Sequence, residues 1–334
     1  MIMKKGSLFG RVKAVVFSVV MTAAVLTSSF TFAEPIVAHA TMDDLELYKV
    51  LSSNEQKVYD LYEKLEDKSN SKKTRVTPEN FGKYKKSDFI KVYSNSTKKK
   101  KFKASELRNG RRAYVYSHPT NLVVAMSELN FVYLEKVKEN GKTVYTCYAY
   151  LKRNCDSNLK KEQKQLNNTI ESIMSTINDE NDTVQTTFTT VYEIFNALMA
   201  TTRYDKTEKI DSMKFSNTAY GALVKHKATS LGYSLAFEAL LDAANIDSNV
   251  LFDENYCWVQ TCIAADGQSD DPACFFEIDL AHCDNVKNGA LRLGRFGLSY
   301  SEMKNYHLRK GYCKKLPKSK GNSERTRNYL NGIF

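Results

Sequence analysis

Two hydrophobic periods alternate along this chain. From Leu45 to Leu65 apolar residues fall at helical spacing, with Leu47, Val50 and Leu51 followed by Val58, Leu61, Tyr62 and Leu65, which predicts one or two amphipathic helices. The Lys-, Ser- and Asn-rich stretch from Lys68 to Thr77 then reads as a loop. A strand pair follows over Asn121 to Leu134 and Lys142 to Leu151, joined by Glu139-Asn140-Gly141-Lys142, because Asn-Gly favours a tight hairpin turn. Period two shows in Val144, Thr146, Tyr148 and Tyr150. Helical spacing returns from about Lys160 to Asn178 and again from Thr187 to Met199, where Val191, Ile194, Phe195 and Leu198 share one face. A turn then runs into an amphipathic helix opened by Ser230, and Asn245-Ile246-Asp247 leads to strands over Ser248 to Phe252, Tyr256 to Ala264 and Ala273 to Leu280, the last two around a polar loop at Asp266 to Asp271. The order helical, β, helical, β predicts an α+β fold, and no internal repeat is visible.

The first forty residues read as a leader rather than part of the fold. Lys4, Lys5, Arg11 and Lys13 precede an apolar stretch from Ala14 to about Phe32, and Ala38-His39-Ala40 offers a small-residue cleavage site. The stretch also approaches the roughly 20 apolar residues of a membrane anchor, but the small residues before a polar start at Thr41 favour cleavage. The expected product is secreted or attached to the cell surface. The expected division is a signal peptide over 1–40, a helical and hairpin region over 41–185, a core over 186–312 and a basic tail over 313–334.

The chain carries 49 Lys and Arg against 38 Asp and Glu; without four of those basic residues and Glu34, the remainder holds a net charge of +8. Fifteen of the basic residues lie between Lys72 and Arg112 against Glu79, Asp88 and Glu106 only, so the rest is slightly acidic. Such a face suits peptide, cell-wall material or another anionic polymer, or serves simply as a solvated surface. No nucleic-acid-binding motif is present, and membrane contact is expected only through the leader if it stays uncleaved. Seven cysteines permit up to three disulfides in an exported chain, with the pairing open. No CxxC pair occurs, and neither a metal nor a cofactor is expected.

The densest chemistry lies in Tyr204-Asp205, Tyr220-Gly221-Ala222-Leu223-Val224, His226-Lys227-Ala228-Thr229-Ser230-Leu231-Gly232-Tyr233-Ser234, Tyr256-Cys257-Trp258-Val259 and Asp279-Leu280-Ala281-His282. A nucleophile at a helix N-terminus gains from the dipole and the free amides, a base on a neighbouring strand takes its proton, and an acid orients the base. In these runs the chain resembles the transglutaminase-like superfamily, papain-related cysteine hydrolases and acyltransferases, in its bacterial exported branch. Phe296-Gly297-Leu298-Ser299 with Ser301-Glu302-Met303 and His307 resembles the segment that follows the acid in that family, and His118-Pro119 resembles its amino-terminal region. The resemblance implies a papain-related core with the nucleophile helix packed on an antiparallel sheet.

It also implies a triad at Ser230, Tyr256 and Asp279, where the family carries Cys, His and Asp. Serine needs a base within hydrogen-bond reach, and a phenol with a reference pKa near ~10 is mostly neutral at pH 7. The triad is therefore expected to be inert. Ser230 reads as a helix N-cap, Tyr256 as a phenol donating to Asp279 or a carbonyl, and Trp258 as core. An active peptidase or acyltransferase would instead need Ser230 with a displaced base, His226 or His282. Cys257 alternates to the face opposite Tyr256 and reads as buried or disulfide-bonded.

Overall fold

A computed structural model describes residues 47–68, 73–96, 98–179, 187–210, 212–262, 275–284 and 293–321. The predicted leader, the polar loop at Asp266–Asp271 and the last thirteen residues lie outside the described residues. The fold mixes helix and sheet as an α+β arrangement. No helix among the described residues is long and apolar enough to cross a membrane.

Helix α1 (Ser53–Glu66) starts where Ser52 and Glu55 exchange side-chain and backbone hydrogen bonds, which satisfies two amides that helix geometry leaves open. Its apolar stripe, Val58, Tyr59, Leu61, Tyr62 and Leu65, is buried, partly against α2 (Ala104–Ser117). Helix α2 and strand β1 (Ile90–Ser96) lie inside the basic stretch and break its apparent uniformity. Only the last turns of α2, Ala113 to Tyr116, carry a continuous buried patch.

The predicted strand from Asn121 begins later than its apolar residues suggest. Asn121 Oδ1 accepts the Val124 amide at 3.1 Å and closes a helical turn, α3 (Leu122–Ala125), before β2 (Ser127–Glu139) begins. β2 pairs with β3 (Lys142–Arg153) through Asn140-Gly141, both at positive φ (51° and 76°), the conformation a type I′ turn requires. β1 joins the far side of β3, so the sheet order is β1-β3-β2.

Helix α4 (Leu159–Asp179), α5 (Thr187–Thr201), α6 (Ala219–Leu223) and α7 (Ser230–Ala243) form the other half of the core. α7 is central rather than amphipathic: every residue from Ser230 to Leu241 is buried, because α4, α5, α6 and strand β7 (Cys257–Cys262) surround it. Its one acid in that span, Glu238, accepts the Ser248 hydroxyl at 2.8 Å. A short parallel pair, β4 (Arg203–Tyr204) with β5 (Lys227–Ala228), aims the chain into α7. The second three-stranded sheet has the order β6 (Ser248–Phe252), β7, β8 (Phe275–Ile278), antiparallel throughout. One continuous hydrophobic cluster runs from Leu47 to Leu316, so the amino-terminal region and the predicted core share their interior.

Residues 313–321 differ from the solvated tail that their lysines suggest. Cys313, Leu316 and Ser319 are buried, and the Gly321 amide donates to Phe275 of β8 at 2.9 Å. Arg309 fixes this wrap by donating to Glu277 at 2.6 Å and to the carbonyls of Leu316 and Pro317. Gly232 has a separate packing role, since a Cβ there would stand 2.2 Å from the Ser216 carbonyl oxygen. Gly232→Ala is expected to lower the unfolding free energy by about 1–3 kcal/mol. Gly82→Ala, where an added Cβ meets nothing within 4 Å, should stay within about 0.5 kcal/mol of wild type; equal urea midpoints for the two variants would contradict this packing argument.

Candidate functional site

Strand β8 delivers Asp279 to a fully buried position at the start of a short helix, α8 (Leu280–Cys283), where it accepts the His282 amide at 3.1 Å. Its Oδ1 also accepts the Tyr256 phenol at 2.7 Å; Oδ2 accepts Arg295 at 2.7 Å and His307 Nε2 at 3.0 Å. The other ring nitrogen of His307, Nδ1, lies 3.4 Å from Asp253 Oδ2. With a carboxylate against each nitrogen, the ring donates from both whenever it carries its second proton, and Arg295 lies 3.5 Å from Nε2.

The rings reinforce this placement. Tyr256 and Trp258, two apart in sequence, share one face at β7, and His307 stacks on both, at 4.5 Å and 5.0 Å between ring centres. Trp258 is core as expected, and its indole N–H donates to Glu277 at 2.7 Å. Arg295 lies under the half-exposed ring of Tyr306, 4.0 Å from the ring centre.

Burial pushes the Tyr256 phenol up, and the Asp279 charge beside it pushes it further. Burial alone would raise the Asp279 carboxyl, but the bonds from His307, Tyr256 and Arg295 outweigh it and hold the group below the usual carboxylate range. Asp253 is lowered in the same way against its own burial, chiefly by His307. Burial would lower the His307 imidazolium, yet Asp253 and Asp279 hold it above its ordinary value.

Ser230 is buried at the first turn of α7, but Thr229 is the N-cap, its hydroxyl accepting the Gly232 amide at 3.4 Å. The cap expected of Ser230 is therefore one residue earlier. The Ser230 hydroxyl instead accepts the Cys257 amide at 3.2 Å, which ties the helix start to the residue after Tyr256. The three triad positions do gather in one place. Among the described residues no histidine nitrogen is hydrogen-bonded to Ser230. The ring of His226, at positive φ (57°), is depressed by burial and leaves its Nδ1 without a partner, while His282 is tied to Asp279 through its backbone.

Cys257 points away from the site, its sulfur 3.6 Å from the Tyr116 hydroxyl, and burial pushes its thiol up to about 12. Cys147, Cys155, Cys257, Cys283 and Cys313 are free thiols, so no disulfide joins any two of these five; Cys274 lies outside the described residues. Nor do the described residues hold a cluster of three or more His, Cys, Asp or Glu suited to a metal ion.

Sequence reasoning missed Asp253 and Arg295 and treated His307 only as part of a following segment. Asp253, Arg295 and His307 lie 26, 16 and 28 residues from Asp279 in the chain, separations at which no local spacing signals contact. No family model matches the chain, and no curated relative does.

Two outcomes follow from this cluster. Tyr256→Phe keeps the stacked ring and removes a bond to a buried carboxylate, so it should cost about 1–3 kcal/mol of stability by chemical denaturation. His307 is raised on folding, so its contribution is complete below its unfolded value near ~6.5 and is lost as pH rises through the folded value. Asp253 and Asp279 are lowered, so theirs is present above about 4 and is lost as pH falls through their folded values. The stability gap between wild type and His307→Asn should therefore be widest near about pH 5–6 and narrow toward alkaline pH; a gap independent of pH across that range would refute the charged-ring assignment.

Proposed function

We propose that this protein is a catalytically silent member of the transglutaminase-like type, exported, whose former active-site cleft binds peptide or cell-wall material rather than transforming it. The observation that carries the reading is the occupation of every group a triad would need. Asp279 receives four donors, both nitrogens of His307 face carboxylates, and the Ser230 hydroxyl receives the Cys257 amide. A serine is a nucleophile only when a base takes its proton, and a phenol whose pKa is raised further above its ordinary value does not serve as that base at neutral pH. Losing one member of a coupled triad already removes most of its rate enhancement, and here two positions differ.

Binding rather than turnover is supported by the rim. Tyr204, close enough to feel the Asp279 charge, and the half-buried Tyr256 lie beside that carboxylate, and Tyr306 covers Arg295. Tyr306 and Leu308 are the exposed large hydrophobics among the described residues, and they flank His307. Aromatic rings with one polar edge suit a peptide or a sugar-peptide chain.

The test is a panel of amide and glutaminyl peptide substrates against wild type and Ser230→Ala. Equal, background-level turnover in both is expected, with peptide binding weakened by Tyr306→Ala. Turnover that disappears in Ser230→Ala would overturn the reading in favour of a serine-dependent hydrolase or acyltransferase. The double variant Ser230→Cys with Tyr256→His should give a thiol more reactive toward iodoacetamide near neutral pH than a free cysteine; ordinary reactivity would reject the triad correspondence.

A further inference from the structure

The lysine-rich stretch 98–103 connects β1 to α2, and its backbone is held down on the first sheet. The Tyr93 hydroxyl accepts the Lys100 amide at 3.1 Å and donates to the Lys100 carbonyl at 3.4 Å, so a single β1 side chain grips the middle of the loop. Phe102 packs on Phe131 of β2 with ring centres 5.6 Å apart, and the Lys99 ammonium stands 4.3 Å above the Tyr133 ring of the same strand. Lys99, Lys100, Lys101 and Lys103 are exposed, as are Lys91 on β1 and Arg108 on α2.

The acid next to the loop in the chain, Glu106, is engaged at the start of α2. Glu106 accepts the Asn54 amide group at 2.9 Å and the Lys103 backbone amide at 2.7 Å, which closes the first turn of α2. Among the described residues no carboxylate forms an ion pair with Lys99, Lys100 or Lys101, while the Lys103 charge acts on Glu106. A run of like charges on a mobile loop would spread apart by repulsion; this one has its backbone fixed by Tyr93 and its Phe102 ring packed on the sheet, Lys99 lies over Tyr133, and its lysines stay exposed.

We infer that this pinned loop is a docking site for a linear polyanion of the cell-surface polysaccharide or polyphosphate kind, a flexible chain with one anionic group on each repeat. Lysine supplies compact point charges without the planar fork that matches a single phosphate or carboxylate in two bonds, so a row of lysines favours repeated charge over one precisely shaped group. The rings beneath the loop are already in contact, Tyr133 with Lys99 and Phe102 with Phe131, and so present no platform for stacking bases. Neither exposed large hydrophobic lies in the loop, which supplies no apolar wedge for a bilayer. The inference is independent of the cleft reading, because it concerns the first sheet and uses none of Ser230, Tyr256 or Asp279.

The probe is linear inorganic polyphosphate, titrated into the fluorescently labelled full chain across a range of NaCl concentrations. The quadruple variant Lys99→Gln, Lys100→Gln, Lys101→Gln, Lys103→Gln should bind about tenfold more weakly near physiological salt, with a shallower dependence of affinity on salt. A control with the same charge change, Lys57→Gln, Lys64→Gln, Lys160→Gln, Lys164→Gln at exposed positions, should lose much less. Equal losses in the two quadruple variants would overturn the inference in favour of net charge alone. Tyr93→Phe keeps every lysine and releases the Lys100 backbone, so a several-fold loss is expected and an unchanged affinity would overturn the fixed-loop assignment. Tighter binding of single-stranded DNA or of anionic lipid vesicles than of polyphosphate at matched charge would overturn the polymer class. Unchanged polyphosphate binding in Tyr306→Ala is expected, which separates this result from the fate of the cleft.

Discussion

A single buried carboxylate organises the region that carries the chemistry. Asp279 has no exposed surface, and an isolated charge in that position would be prohibitively costly to dehydrate. It is tolerated because donors arrive from separate parts of the chain: Tyr256 beside β7, His282 in α8, Arg295 after β8 and His307 from the wrap that follows. Meeting the hydrogen-bonding demand of one side chain therefore fixes the relative position of a sheet, a short helix and the carboxy-terminal wrap. His307 extends the constraint to Asp253 at the end of β6.

This structural duty also commits the groups around the acid. In a triad the acid orients an imidazole whose far nitrogen faces the nucleophile. Here the imidazole beside the acid turns its far nitrogen to a second carboxylate, and the Tyr256 phenol donates to the acid itself. The same groups that lower the energy of a buried charge are thereby held by it. A second buried network behind the site, Glu277 with Trp258, Arg309 and Ser319, holds the wrap from the other side. Breaking such a pair leaves an uncompensated interior charge, so both networks favour a rigid site over a mobile one.

The two surfaces of interest are built by opposite means. Around Asp279 charge is buried and neutralised, with aromatic rings left at the edge. On the first sheet aromatic rings are packed down and charge is left at the surface, where Tyr93 and Phe102 hold a lysine loop in place. Long-range electrostatics acts from the second surface and short-range packing from the first.

Local pattern was sufficient for the elements whose signal is confined to neighbours in the chain. The Asn140-Gly141 turn, the strand at Ser248–Phe252 and the helix entered at Ser230 follow from turn chemistry and periodicity over a few residues. The contact of Tyr256 with Asp279 came instead from the resemblance, which placed both in one triad. What the sequence by itself could not determine was anything decided by partners distant in the chain. A cap at Thr229 rather than Ser230, the burial of α7 on all sides, the packing of residues 313–321 and the pairing of His307 with two aspartates depend on which elements meet. The physical reason is that a residue type states what a side chain needs, whereas only the tertiary structure states which group supplies it.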